Sequence, residues 1–500
     1  MPITPSADAR RAPVLCGLTA AVLLALASPA SAREFSLWER IKADPRMAHR
    51  DTMTLSEKRA LARDYGVENL LPPSPRTTIP VSNCNDAGPG SLRDAVTSAS
   101  TGDTVDASAL TCSTITLTTG TLSTIADGLT IVGPGPDALT ITANHASRIL
   151  LHAGTGTLTL SGMTIREGRF SSYGSAPARG GCIFSTGTVS LGSVKYHLPQ
   201  SGVAVNDCVV EAHGDGETAF GGGIFAIRGV SVSDSVISGN LATSAVIRGS
   251  FGGGVALVSS PYGFASGTFL AKYSEISGNA TGGYGGGIYV NANDAELRYS
   301  TIAGNSAGGG VGGLDAIMGN AGTASLLNVT ISGNSAQIGV GGMAVFANTS
   351  TIQNSTITGN RTDGNSGIVG GADFFGGPIE FESSIFSGNL AAGAPRDVST
   401  NAVYDNVFGA NNLVGVAVGI VPPDGLITTN NPGLGPLVNN GGRTHTHALL
   451  PGSPAIDTGN NSADIEVDQR GPGFPRVIGV AADIGAFERD PDVVLRSGFE

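Results

Sequence analysis

Val232-Ser233-Asp234-Ser235-Val236-Ile237-Ser238-Gly239-Asn240 opens a series of related nonapeptides, and the reading of that series decides the fold. Five more copies end at Asn279, Asn305, Asn334, Asn360 and Asn389, so the last four steps measure 26, 29, 26 and 29 residues. A period of roughly 20–50 residues marks one supersecondary unit stacked on itself. Three residues before each Asn stand Ile237, Ile276, Ile302, Ile331, Ile357 and Phe386. Five before it stand Ser235, Ser274, Ser300, Val329, Ser355 and Ser384; eight before it, Val232, Ala271, Leu297, Leu326, Ile352 and Phe381. The two-residue step from the Ser position to the Ile position is strand alternation, with both side chains facing one way. The three-residue step ahead of it breaks that parity and predicts a bend. A helix would need apolar residues at i, i+3, i+4 and i+7, and Gly-Asn would end it at every turn.

A second phrase precedes each copy: Gly222-Gly223-Ile224-Phe225, Gly253-Gly254-Val255, Gly286-Gly287-Ile288-Tyr289, Gly312-Gly313-Leu314, Gly341-Gly342-Met343 and Gly370-Gly371-Ala372. Each period therefore holds two or three short strands separated by Gly-rich corners. Stacked in parallel, equivalent residues lie about 4.8 Å apart and the Ile column becomes a continuous core. Gly and Asn are expected to close the phrase because both tolerate left-handed backbone. The column Asn240, Asn279, Asn305, Asn334, Asn360 and Asn389 reads as a structural ladder of side-chain amides rather than a ligand site.

The two phrases together resemble the right-handed parallel β-helix of pectate-lyase-like proteins and of the polymorphic outer-membrane proteins, over roughly residues 140–400. The resemblance implies an all-β, single-stranded solenoid, here with a short helical N-terminal segment. A likeness of fold does not carry chemistry.

Outside the repeats the composition changes. Arg10-Arg11, an apolar run from Val14 to Ala27 and Ala30-Ser31-Ala32 read as a secretory signal peptide over residues 1–32. No later segment approaches ~20 uninterrupted apolar residues, so no transmembrane span is expected after cleavage. Residues 33–79 are a charged helical segment ending in the stiff spacer Leu71-Pro72-Pro73-Ser74-Pro75. Residues 80–142 form an N-terminal cap and first coils, with Ser91 to Ala99 a short helix over the open end of the stack. Their Ser91-Leu92-Arg93-Asp94-Ala95 is similar to the Cys-Ser-Leu-Arg-Glu-Ala segment that begins many exported bacterial β-helix proteins. The repeats fill 143–431. Residues 432–488, with Pro454-Ala455-Ile456-Asp457 and Asp483-Ile484-Gly485-Ala486-Phe487-Glu488, resemble the choice-of-anchor segment of such proteins, and 489–500 are a tail.

Once Cys16 is lost with the signal, Cys84, Cys112, Cys182 and Cys208 remain. An even number in an exported chain favours disulfides, with three connectivities open. Sequential pairing keeps each bridge within about one coil. Charged residues are 14% of the chain and the net charge is −12, without basic runs in the repeats, which argues against nucleic acid.

No catalytic residue is assigned. The outward position after each Gly-Gly reads Phe225, Ala256, Tyr289, Asp315, Ala344 and Asp373. Phe225 and Tyr289 are binding-face candidates. Asp315 and Asp373 are the carboxyl candidates, two coils or roughly 9.6 Å apart by strand spacing. Otherwise they are solvated strand-face residues. Inverting glycosidases hold their carboxyls roughly 6.5–9.5 Å apart. A polysaccharide lyase would need calcium and an Arg or Lys base, and between Gly285 and Asn389 only Arg298 and Arg361 are basic. Calcium is expected only under that alternative; otherwise no cofactor and no metal are expected. His445-x-His447 and His213-Gly214-Asp215 read as packing and loop residues. The chain is thus expected to be a secreted or surface-displayed β-helix protein with an adhesive or glycan-contact role, its partner a polysaccharide or cell-surface ligand. Lyase or glycoside hydrolase chemistry on the same scaffold is the alternative, and enzymatic activity is not assigned.

Overall fold

A computed structural model describes residues 76–192, 201–214, 217–259, 267–364, 369–400, 407–419 and 426–491, excepting the side chain of Asn320. The expected signal peptide, the expected helical segment with its spacer to Pro75, and the last nine residues lie outside these. The described chain is an all-β parallel solenoid of about 11 turns.

The nonapeptides lie in register. Ile237 pairs with Ile276, Ile276 with Ile302, Ile302 with Ile331, Ile331 with Ile357 and Ile357 with Phe386. All six are 0% exposed, and the Val232-to-Phe381 column behind them is equally buried. Between the two inward columns the predicted bend falls on one residue per coil. Asp234, Tyr273, Tyr299, Asn328, Asn354 and Ser383 all have φ between 46° and 52°. That left-handed step turns the next side chain back inward, which is how a three-residue spacing keeps both ends in the core. The buried hydroxyls beyond it accept from the backbone of the preceding coil: Ser235 N donates to Ser274 Oγ, and Ser274 N to Ser300 Oγ.

The corner differs from the expectation in one respect. Only the glycines, Gly239 through Gly388, adopt left-handed backbone there, with φ from 62° to 81°; the asparagines do not. The asparagines are set by hydrogen bonding instead. Asn279 Nδ2 donates to Asn305 Oδ1 at 2.9 Å and to Ile237 O at 2.9 Å, while its backbone N–H donates to the same Oδ1 at 2.9 Å. This pattern runs from Asn240 to Asn389 and ends on Asp397 Oδ1, which accepts from Asn389 N and Nδ2. Its other end abuts Cys208, whose N–H donates to Asn240 Oδ1. The ladder also explains the second Gly of each pair: a Cβ on Gly287 would sit 2.9 Å from the Asn305 amide.

Disulfides join Cys84 to Cys112 and Cys182 to Cys208, with Cα separations of 6.5 and 5.5 Å. The N-terminal end is closed by the helix Leu92–Ser98, capped by Ser91 Oγ and burying Leu92, Ala95 and Val96. Such a cap removes an open strand edge.

Residues 432–488 do not project from the stack. They lie along it as a strap over the outward column Glu275, Thr301, Thr330 and Thr356. Thr301 Oγ1 donates to His445 O at 2.7 Å, Thr330 Oγ1 to Gln469 Oε1 at 2.6 Å, and Ala486 N to Thr356 Oγ1 at 3.0 Å. His445 pairs with Glu275 at 2.6 Å and His447 with Ser332 at 2.8 Å, so the two imidazoles engage different coils. Burial lowers the pKa of His447. Inside the strap the Arg470 guanidinium lies 4.1 and 3.9 Å from the Phe474 and Phe487 rings and pairs with Asp468. Among the described residues no helix is long and apolar enough to cross a membrane.

Candidate functional site

The strands that follow each Gly-Gly expose one face to the core and the other outward. Along the outward column Tyr289 pairs with Asp315, Asp315 with Ala344, Ala344 with Asp373 and Asp373 with Ser399. Asp315 and Asp373 therefore share a column two coils apart, about 9.6 Å at Cα. They are not solvated: Asp315 is 4% and Asp373 3% exposed. The short segment ahead of each Gly-Gly folds over this face, where Val311, Val340 and Val369 pair coil to coil and cluster with Ala344. Strand alternation predicts which way the aspartates point but not what lies above them.

Burial raises both carboxyl pKa values. Asp315 is pushed up to about 7, with no hydrogen bond to its carboxyl group among the described residues. Asp373 is also raised by burial, opposed by a 2.6 Å hydrogen bond from Ser399 Oγ and by the Phe374 N–H. Burial, then the charge of Asp315, pushes the Tyr289 phenol up to about 12. Near neutral pH, burial thus lets Asp315 hold a proton that an exposed aspartate would have lost, so that it can donate as well as accept.

The aspartates and Tyr289 line a cleft of about 350 Å³ whose other walls are half aromatic and half aliphatic. Phe346 and Phe375 stack face to face at 4.1 Å with a 3° interplanar angle, and Phe346 is 39% exposed. On earlier coils Phe251 stacks on Tyr284 at 5.8 Å and meets Tyr289 at 4.9 Å. Phe225, the other aromatic candidate, is 3% exposed and packs against Phe184 and Phe220. It supports the wall of the stack and offers no binding surface. His213, outside this cleft, stacks on Tyr173; Asp215 beside it lies outside the described residues.

Sequence reading missed Phe346, Phe375, Phe251 and Tyr284. The first two stand two residues beyond the outward column, at Ala344+2 and Asp373+2, and strand parity carries them to the same face. The other two directly precede a Gly run, where Phe220, Phe251 and Tyr284 pair coil to coil; Val311, Val340 and Val369 form their own column one position nearer the strand. Both columns were legible, but their convergence on one cleft was not.

No protein-family model matches the chain, and no curated protein matches it. Among solved structures it is similar to pectate lyase Pel9A, with 14% identity and a TM-score of 0.42 over 83% of this chain and 97% of that one. It is also similar to a mannuronic acid specific polysaccharide family 6 lyase from human gut microbiota, with 12% identity and a TM-score of 0.27 over 71% and 83%. At these identities the likeness is one of fold alone.

Proposed function

We propose that this chain is a glycan-contacting β-helix protein whose binding surface is the cleft above Asp315 and Asp373. The observation that carries the reading is the stacked, part-exposed Phe346–Phe375 pair beside two buried carboxyl groups. Sugar rings present apolar C–H faces that lie on aromatic rings and hydroxyls that need a few placed polar partners. A mainly apolar cleft with convergent polar groups meets both needs. A linear glycan lying along the stack would pass successive coils of one strand face, which here carries Tyr289, Asp315, Ala344 and Asp373 in turn. Two disulfides fit an oxidising compartment, in keeping with a secreted or surface-displayed adhesive role.

A second reading, glycoside hydrolysis, is favoured by one specific observation: two carboxyls on one column, Asp315 with its pKa near 7. A group of that kind is suited to protonate a leaving oxygen at neutral pH while its partner activates water. The test is a glycan array followed by reducing-sugar and unsaturated-product assays on the glycans retained. Binding that Phe346→Ala weakens, without product, supports the adhesive role. Reducing ends lost in Asp315→Asn select hydrolysis. Retention of no glycan, or binding indifferent to Phe346→Ala, refutes the cleft as the binding surface.

A further inference from the structure

A second hollow, about 510 Å³, lies on the first coils and is built differently. Its floor is Arg148, only 7% exposed. The guanidinium lies 4.0 Å from the Phe170 ring centroid, with Nε donating to Gly180 O at 2.9 Å and Nη2 to Arg179 O at 2.6 Å. Neither carbonyl carries charge, and Arg148 pairs with no carboxylate among the described residues. Nη1 makes no hydrogen bond among them. Burial lowers the Arg148 pKa to about 10, so it is cationic at neutral pH. A buried cation held only by neutral carbonyls and the Phe170 and Phe184 ring faces is costly, and a bound oxyanion would offset that cost.

The neighbouring Arg169 is spent differently. Its Nε and Nη2 hold Glu211 Oε2 at 3.0 and 2.6 Å, and Ser171 Oγ donates to the same oxygen. The unneutralised charge of the hollow is therefore that of Arg148, flanked by His145 and Ser147. At the rim stands Tyr173, 77% exposed, its ring stacked on His213 at 4.5 Å. That is a large aromatic surface held in place and left open to solvent.

We infer that this hollow is an anionic-sugar site, in which Arg148 takes a carboxylate or sulfate ester and Tyr173 carries the ring. Guanidinium binding of an oxyanion is charge-assisted, and an aromatic face adds orientation without a second charge. The site is separate from the aromatic cleft and does not depend on the function assigned to it.

The test titrates the full chain with glucuronic acid, glucose 6-sulfate and glucose, followed by saturation-transfer NMR. One or both acidic sugars are expected to bind with one-to-one stoichiometry, and glucose not to bind detectably. Which acid binds better distinguishes a carboxylate from a sulfate ligand. Arg148→Gln is expected to weaken that binding about ten-fold or more. Tyr173→Ala, at an exposed position with little to lose in folding, is expected to weaken it several-fold. Ile247→Ala, at an exposed position outside both hollows, is expected to leave it unchanged. Binding of neither acid, equal binding of glucose, or acid binding that survives Tyr173→Ala undiminished overturns the assignment.

Discussion

Replacing Asp315 by Asn tests the burial of the carboxyl directly. Asp315 is buried under the Val311 and Val340 segment, and its pKa is displaced from 3.8 to about 7 by burial alone. The displacement of about three units corresponds to roughly 4 kcal/mol between the protonation states. Its sign follows from linkage. A carboxyl with a raised folded pKa binds its proton more tightly when folded, so its favourable contribution is fully present below pH 3.8. That contribution is lost as pH rises toward 7. Roughly 2–3 kcal/mol of the loss falls between pH 5 and pH 8 by the same linkage relation. An amide of the same shape does not ionise. Asp315→Asn should therefore gain roughly 2–3 kcal/mol relative to the parent on going from pH 5 to pH 8. The assay is urea unfolding followed by far-ultraviolet circular dichroism at both pH values. Asp373 and Glu488 also have raised pKa values, and they titrate in both proteins, so the difference isolates Asp315. Parallel stability–pH curves for parent and variant would refute a buried, proton-retaining Asp315.

Three further outcomes follow from the stack and its cleft. Asn305→Ala should cost about 3 kcal/mol in urea unfolding, because it takes the acceptor from the buried Asn279 N–H and removes the side-chain bonds to Asn279 Nδ2, Ile276 O and Asn334 Oδ1; a cost near that of an exposed substitution removes the ladder from the account of stability. The double replacement Cys182→Ser with Cys208→Ser opens a bridge of sequence separation 26 and should cost about 3.5 kcal/mol by chain entropy, read as a lower urea midpoint. Phe346→Ala should weaken binding of any glycan the array retains about 3–10-fold with little change in melting temperature, since the ring is part-exposed; an unchanged dissociation constant argues against aromatic stacking.

Much of the architecture was legible because it is local and repeated. Strand alternation at Ser235 and Ile237, the parity break behind them and the Gly-Asn corner each lie within one nonapeptide, and six copies align them. The role of Asn at the corner was less legible, because Gly239 alone takes the left-handed turn while Asn240 reaches the neighbouring coil. Phe225 looked equivalent to Tyr289 by position. Only the rings of Phe184 and Phe220 around it show that one is wall and the other lining.

The amino-acid sequence by itself determined the solenoid: its period, its inward columns and its amide ladder. Those features need no knowledge of which distant segments meet, since each coil repeats the same contacts with the next. Tertiary structure decided the rest. The Thr301–Thr330–Thr356 column became an internal surface because residues more than a hundred positions later fold back over it. Asp315 and Asp373 became buried acids because the preceding loops lie across their strand. Period and parity set the direction of a side chain; whether it meets water, a carboxyl or an aromatic ring depends on packing between segments that carry no shared pattern.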